Sequence, residues 1–236
     1  MKLQKAPILH LFKLEVDPKN HDKLIQSMLD AHLDRNALFM QSGHEDEAGH
    51  KNYAVECFQD DAQYQKRLNS EEYQAFLKAS DKLLTEKVDV ELQPEFISTK
   101  PDKLNVSGEN DYVVYMTEIG VQLGKGDEFA NGVLKEMKAA VEKEVGIMVM
   151  IAGTVMNQPN EWLSLEVYQN KDAYQKHLET KHFKRYLEAT KFCVESKGLH
   201  LLKSDFVSDQ GQIFYRPQND TRKKCLCPVK YRQSQV

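Results

Sequence analysis

The chain repeats itself, and this repeat restricts its fold more than any other feature. Residues 62–80 read AQYQKRLNSEEYQAFLKAS, and residues 172–190 read DAYQKHLETKHFKRYLEAT. Over the 25 positions that start at Glu56 and Glu166, eight pairs are identical, whereas about one or two would be expected by chance. A period near 110 residues is too long for a solenoid repeat, so the sequence predicts a duplicated domain.

The duplication divides the chain into four predicted segments. Residues 1–98 form a first domain, residues 99–111 a linker rich in Pro, Gly, Ser and charged side chains, and residues 112–208 a second domain. Residues 209–236 follow as a basic tail outside the duplicated fold. From Arg216 onward this tail has six basic residues and one acidic residue, without a periodic apolar pattern.

The composition excludes several classes of protein. A formal net charge of -4 gives no reason to expect a nucleic-acid partner. No apolar run is long enough to span a membrane, and the N-terminal sequence lacks the cleavage site of a signal peptide. The four cysteines do not form a disulfide framework, and Cys225 and Cys227 alone are a weak metal signal. We therefore expect free thiols and a cytoplasmic protein.

Both copies have the same predicted order of elements, namely strand, helix, strand, strand, helix pair and strand. The first copy has predicted strands at residues 8–16, 38–42, 53–58 and 88–96, and the second at residues 112–121, 147–155, 162–168 and 198–206. Ser70 and Thr180 are expected to cap the second helix of each pair. The order β-α-β-β-α-β is that of a ferredoxin-like α+β domain.

A single ferredoxin-like domain covers only one face of its sheet with helices, so the other face needs a partner. A tethered second copy supplies that partner at high effective concentration. We therefore expect an α+β protein in which two tandem domains pack sheet against sheet. The helices would lie outside, and the result would be an intramolecular pseudo-dimeric α+β barrel. A further homodimer stays open.

A longer pattern surrounds the repeated segment in the second copy. A strand ends in Glu-x-aromatic, and a helix pair carries His-Leu-x-Thr-x-His-Phe-x-x-Tyr. The pattern is formed by Glu166, Tyr168, His177, Leu178, Thr180, His182, Phe183 and Tyr186. It resembles the antibiotic biosynthesis monooxygenase superfamily, the dimeric α+β barrel proteins. The first copy keeps Glu56 but has Arg67 and Glu72 where the histidines would be.

The resemblance implies a small oxidoreductase that uses molecular oxygen without a metal or another cofactor. A base would remove a proton from a small aromatic or quinol-type substrate, and the substrate anion would pass an electron to oxygen. It implies Glu166, Tyr168 and His182 as catalytic residues. It also implies substrate-binding roles for Trp162, Ser164, Phe183 and Tyr186.

The alternation of side chains along residues 161–168 places Trp162, Ser164, Glu166 and Tyr168 on one face of the strand. Each candidate also has a purely structural interpretation. Trp162 can be a packing aromatic, Glu166 can satisfy a neighbouring strand or helix, and His182 can cap a helix. His177 is expected on the exposed face of its helix.

Two other functions remain open. One is a non-catalytic small-molecule binding or stress-response module. The other is a sugar-phosphate isomerase, in which Lys181, Lys184 and Arg185 would contact the phosphate. The haem-degrading branch is disfavoured, because its axial histidine and its tryptophan would fall near Leu187 and Tyr168.

We expect the chemistry in the second copy. The first copy offers other residues at the matching places, namely Asn52, Ala54, Glu56, Phe58 and Glu72. Phe58 lacks the hydroxyl of Tyr168, and Glu72 lacks the near-neutral titration of a histidine. We also expect Glu56→Gln to leave the protein folded.

Overall fold

The protein is a closed β-barrel with helices packed on its outside. The computed structural model describes residues 1–31 and 36–217. The described residues form, in chain order, β1 (Ile8–Val16), α1 (His21–Ala31), β2 (Phe39–His44), β3 (Lys51–Phe58), α2 (Asp61–Leu68), α3 (Glu71–Leu83), β4 (Leu84–Thr99), β5 (Asn105–Ser107), β6 (Val113–Val121), α4 (Gly126–Lys143), β7 (Ile147–Val155), β8 (Gln158–Tyr168), α5 (Lys171–Glu179), α6 (Lys181–Thr190), β9 (Val194–Asp209) and β10 (Phe214–Tyr215). Cys225 and Cys227 of the predicted tail lie outside the described residues.

Each copy has the predicted β-α-β-β-α-β order. The helix pair divides at the two predicted caps: the Ser70 hydroxyl accepts a hydrogen bond from the Tyr73 amide at 3.2 Å, and the Thr180 hydroxyl accepts one from the Phe183 amide at 3.3 Å. A side-chain acceptor at this position satisfies an amide that the helix itself leaves without a partner. The repeated segment therefore has the same local structure in both copies.

The barrel closes because the last strand of each copy serves both copies. Residues 84–92 of β4 pair with β1, and residues 92–99 pair with β7 of the second copy. In the same way β9 pairs first with β6 and then with β2 of the first copy. Eight strands thus form a ring in the order β1-β3-β2-β9-β6-β8-β7-β4, and β4 returns to β1.

The expected pseudo-dimeric α+β barrel of two ferredoxin-like domains is confirmed, but the expected packing of two separate sheets is not. The two half-sheets are hydrogen-bonded into one ring. The reason is the length of β4 and β9, which have 16 residues each and extend beyond their own copy. A strand of this length spans about 50 Å, enough to pair with two different neighbours in succession.

Three layers of apolar side chains hold the barrel together. Its interior is filled from both copies, for example by Leu11 and Val55 of the first and Leu165 of the second. The helices of each copy cover the outer face of their own half-sheet. Phe96 at the end of β4 packs under the helices of the second copy, and Phe206 of β9 packs under those of the first. The exchanged strands therefore anchor each copy in the core of the other.

Short strands also lie in the predicted linker and in the predicted tail. β5 pairs with β9, and β10 pairs with β4. Ile213 and Tyr215 are buried, so this part of the predicted tail belongs to the barrel. The division of the chain near residues 98, 111 and 208 stays a prediction. None of the helices in the described ranges has the length and hydrophobicity required to cross a bilayer.

Gly153 on β7 and its counterpart Gly43 on β2 lie where an exchanged strand passes closely. A Cβ atom on Gly153 would lie 2.9 Å from the Gln93 carbonyl oxygen, and one on Gly43 would lie 2.6 Å from the Lys203 carbonyl oxygen. Both obstacles are backbone atoms, which cannot move without disturbing the barrel hydrogen bonds. Only glycine fits these two positions without a shift of the neighbouring strand.

Gly153→Ala is therefore expected to lower the free energy of unfolding by about 1–3 kcal/mol, the range for overpacking in a dense interior. Urea denaturation measures this difference. Gly126→Ala is the matched control, because nothing lies within 4 Å of a Cβ atom at that position. Equal stabilities of the two variants would contradict the close strand crossing.

Candidate functional site

The candidate side chains of β8 lie between the sheet and the helices of the second copy. Leu163, Leu165 and Val167 point into the barrel. Trp162 and Tyr168 point the other way, into the layer beneath the helices. The two faces of the strand are therefore divided as the alternation predicts. Both faces are covered, so the polar groups on the outer face need partners or a cavity.

A small cavity of about 50 Å³ lies in this layer. Strands β6 and β8 form its floor, and helices α4, α5 and α6 cover it. Four of the predicted site residues line it, namely Ser164, Glu166, Phe183 and Tyr186; the other lining residues are Tyr115, Thr117, Ile119, Val133, Glu136, Tyr174, Lys197 and Leu199. A cavity of this volume holds one or two water molecules but no aromatic ring.

Glu166 and Tyr168 form a hydrogen-bonded pair at the edge of this cavity. The Tyr168 hydroxyl donates to Oε2 of Glu166 at 2.7 Å. Tyr168 is fully buried and lies behind Glu166 rather than in the cavity wall. Burial and the neighbouring Glu166 carboxylate raise the pKa of the Tyr168 phenol, so it stays protonated and acts as a donor. The phenol therefore fixes the orientation of the carboxylate.

Trp162 does not line the cavity. Its ring packs nearly perpendicular to that of Phe129 on α4, with centroids 5.2 Å apart. The residue is buried in the apolar layer between β8 and α4. Its surroundings fit the packing interpretation, and its predicted contact with substrate would need a rearrangement of α4.

His177 is buried, so its expected place on the exposed helix face is wrong. Only 1% of His177 is exposed, because this side of α5 faces α4. Nδ1 of His177 lies 3.0 Å from Oε1 of Glu144, and Nε2 of His182 lies 2.6 Å from the same oxygen. Nε2 of His177 points to Oε1 of Glu136, 3.6 Å away. His182 thus contacts Glu144 and is not part of the cavity wall.

Glu136 on α4 and Glu144, the residue that follows α4, shape the electrostatics of this region. Burial, together with the carboxylates of Glu166 and Glu144, raises the pKa of Glu136 to about 9. Burial alone would raise the pKa of Glu144, but the hydrogen bonds to His177 and His182 lower it below its usual value. Sequence reasoning missed both glutamates. Glu136 could have been found, because it interrupts the buried apolar face that includes Val133, Met137 and Ala140.

The first copy has a different arrangement at the equivalent place. Arg67 stands where the second copy has His177, and it is fully buried. Its Nη2 lies 3.2 Å from Oε1 of Glu56, its Nη1 donates to the Ala31 carbonyl, and its guanidinium stacks 4.4 Å above the Tyr73 ring. The cavity next to Glu56 measures only about 10 Å³. Glu72, which takes the place of His182, is exposed.

Two other surface features do not coincide with this site. A larger open groove of about 890 Å³ is lined by residues 44–47, 110–113, 170–172, 199 and 201–203 and holds none of the predicted site residues. Lys181, Lys184 and Arg185, which an isomerase would use for a phosphate, are exposed and do not line the cavity. Lys197 is the cation among the described residues that line it.

Comparisons with known proteins fit this description. The family model for antibiotic biosynthesis monooxygenase (ABM) matches residues 112–189. A candidate monooxygenase from Lactobacillus acidophilus NCFM is 28% identical, with a TM-score of 0.82 over 89% of this chain and 100% of the other. A candidate monooxygenase from Fusobacterium nucleatum is 19% identical, with a TM-score of 0.83 over 91% and 100% of the two chains.

A third solved structure, an anthrone oxidase-like protein, is 12% identical and has a TM-score of 0.59 over 88% of this chain and 95% of the other. At this identity, as at 19%, the likeness shows the fold alone. No curated protein matches the chain. The first two structures extend over both copies, so the tandem arrangement is shared with them.

Proposed function

We propose, because this chain is a tandem two-domain member of the ABM superfamily, that it oxidises a small aromatic or quinol-type compound with molecular oxygen. The cavity of the second copy would hold the substrate, and the reaction would need no metal or flavin. The observation that carries the proposal is the pair formed by Glu166 and Tyr168. A carboxylate with a fixed orientation faces an aromatic-lined cavity in the copy that matches the family model.

Glu166 is the proposed base. It would accept the proton of a substrate hydroxyl, and Tyr168 would hold the carboxylate in position during the transfer. The phenolate would pass one electron to oxygen, and the resulting superoxide would combine with the substrate radical at a ring carbon that bears hydrogen. Loss of water from this peroxide yields a quinone. One oxygen atom enters the product, the other leaves in water, and the substrate supplies all the electrons.

The surroundings of Glu166 suit this chemistry. Aromatic rings from α5 and α6 separate the cavity from bulk solvent, which strengthens the interaction of the carboxylate with a substrate proton. Tyr174 stacks on Tyr115 with centroids 3.7 Å apart and closes one side of the cavity. A ring-sized substrate would have to displace Tyr174 or shift α6. Half-buried Phe183 and Tyr186 on α6 are the side chains that would then lie against the substrate ring.

The test is oxygen uptake by purified protein from which metals have been removed by chelation. Quinols, naphthols and anthrones form the substrate panel. We expect consumption of one oxygen molecule per product molecule, and one ¹⁸O atom in the product when ¹⁸O₂ is supplied. Uptake that requires added metal or flavin would contradict the cofactor-free reaction. Absence of oxygen uptake with every panel compound that binds would contradict a monooxygenase.

The second candidate is the binding module without chemistry, and the small volume of the cavity favours it. In that case the panel compounds would raise the melting temperature of the protein without any oxygen uptake. The sugar-phosphate isomerase is less well supported, since its three cationic candidates lie outside the cavity wall. We place the protein in the cytosol, which suits the free thiols of Cys57 and Cys193.

A further inference from the structure

A group of metal-ligand side chains lies beside the cavity and has no part in the proposed oxidation. Glu136 on α4, His177 on α5 and His182 on α6 have candidate ligand atoms that all lie within 4.8 Å of one another. We call these three residues and Glu144 the helix cluster. We propose that the helix cluster binds a divalent transition-metal ion of the Zn²⁺ class. Glu136, His177 and His182 would be the ligands, and Glu144 would orient the two histidines.

The first argument is that two buried polar atoms of the helix cluster point at each other without a bond. Glu136 is 5% exposed and His177 is 1% exposed. Oε1 of Glu136 and Nε2 of His177 have no hydrogen-bond partner among the described residues. Buried polar atoms are nearly always paired, so an exception needs an explanation. A bound cation would satisfy both atoms at once.

The spacing of the two atoms fits a metal ion. They are 3.6 Å apart. Ligands bound to zinc at about 2.1 Å in a tetrahedron are about 3.4 Å from each other. One ring nitrogen of His182 would complete a set of three protein ligands, with a water molecule in the fourth position. A set of two histidines and one glutamate is an established zinc ligand combination.

The second argument is the orientation of His177. Its Nδ1 is hydrogen-bonded to Glu144 at 3.0 Å. The other ring nitrogen of His177, Nε2, faces Oε1 of Glu136. A metal-bound histidine usually has its other ring nitrogen hydrogen-bonded to a carboxylate, a carbonyl or water. Glu144 thus holds the His177 ring with Nε2 facing the place of the proposed ion.

The third argument comes from comparing the two copies. In the first copy the equivalent place is taken by the guanidinium of Arg67, a cation that belongs to the chain. In the second copy the residue is His177, which faces the carboxylates of Glu136 and Glu144. Among the described residues, the carboxylate of Glu136 lies 3.6 Å from His177, and that of Glu144 lies 3.0 Å from His177 and 2.6 Å from His182. A metal ion would place a positive charge where the first copy has the guanidinium of Arg67.

The test is metal binding without substrate, so its outcome does not depend on the proposed oxidation. Chelator-treated protein is titrated with Zn²⁺ by calorimetry, and with Co²⁺ by visible absorption, which reports a tetrahedral site. We expect Zn²⁺ to bind at the helix cluster with micromolar or tighter affinity. Glu144→Gln should weaken binding about 10–100-fold, as loss of an outer partner does. His177→Gln, which removes a ligand, should weaken it at least as much, about 100-fold or more.

Glu136→Gln provides a second ligand variant in case His177→Gln does not fold, as judged by circular dichroism. His44→Gln is the matched control. His44 belongs to the other described group of possible metal ligands, with His21 and Asp205. The proposal is supported when the control keeps the Zn²⁺ site that the helix-cluster variants lose. It is overturned when wild-type protein binds no Zn²⁺, when His177→Gln and Glu136→Gln bind it unchanged, or when His44→Gln alone abolishes binding.

Discussion

Replacement of Arg67 by methionine should lower the free energy of unfolding by about 3–5 kcal/mol, the cost of removing one member of a buried ion pair. Arg67 is fully buried, and Glu56, its partner at 3.2 Å, is 3% exposed. Methionine fills a similar volume, so the loss would come mainly from the removed contacts of the guanidinium with the Glu56 carboxylate and the Ala31 carbonyl. Urea denaturation of wild type and variant measures it.

Glu56→Leu should be similarly destabilising, because it leaves the guanidinium without its carboxylate. The double variant should lose much less than the sum of the two single losses, since apolar pairs often replace buried ion pairs at little cost. Lys66→Met, an exposed neighbour on α2, is the control and should change stability little. Additive losses would show that the two side chains act separately. The ion pair also changes our expectation for Glu56→Gln, which should now be markedly destabilised.

The repeat was enough to predict most of the fold. A strand–helix pattern that occurs twice indicates two similar domains, and an uncovered sheet face indicates that the domains pack together. The capping roles of Ser70 and Thr180 follow from local chemistry, which depends on a few neighbouring residues. Such features can be derived from one sequence because they require only short-range information.

The exchange of β4 and β9 between the copies could not be predicted in this way. Residues 85–87 and 195–197 are polar and exposed, so the apolar pattern that marks a strand underestimates the length of β4 and β9. The choice of β2 or β7 as a second neighbour depends on long-range pairing. Gly43 and Gly153 are the sequence features that accompany the strand exchange, but glycine occurs in strands for several other reasons.

The candidate site was predicted in part for a similar reason. Alternation along β8 placed Ser164 and Glu166 on the covered face, and both line the cavity. Glu136 lies on α4 and Glu144 directly follows it, 30 and 22 residues before Glu166, where the motif that identified the site begins, so spacing could not connect them with it. Because Glu136 and Glu144 contact His177, this histidine faces the interior, and the prediction that it is exposed is wrong. The assignment of catalytic roles stays a prediction.

Glu166→Gln should lower the rate of oxygen uptake by a factor of about 100 or more, because the amide cannot accept the substrate proton. The amide has nearly the shape of the carboxylate and can still accept the hydrogen bond of Tyr168, so the fold should persist. The measurement is kcat by oxygen electrode with whichever panel substrate is turned over. Glu161→Gln, an exposed change on the same strand, is the matched control and should leave the rate unchanged.

Tyr168→Phe separates the positioning of Glu166 from its role as a base. Phenylalanine retains the ring packing beneath α5 but removes the hydroxyl that holds Oε2 of Glu166. The first copy already has Phe58 at this position, so the sheet accommodates the smaller side chain. We expect a smaller loss of kcat than for Glu166→Gln, roughly 10-fold, since the base stays but is less well oriented. If Tyr168→Phe were the more damaging change while remaining folded, the phenol itself would be the proton-transfer group. If neither variant lost activity, the reaction would have to take place outside the cavity of the second copy.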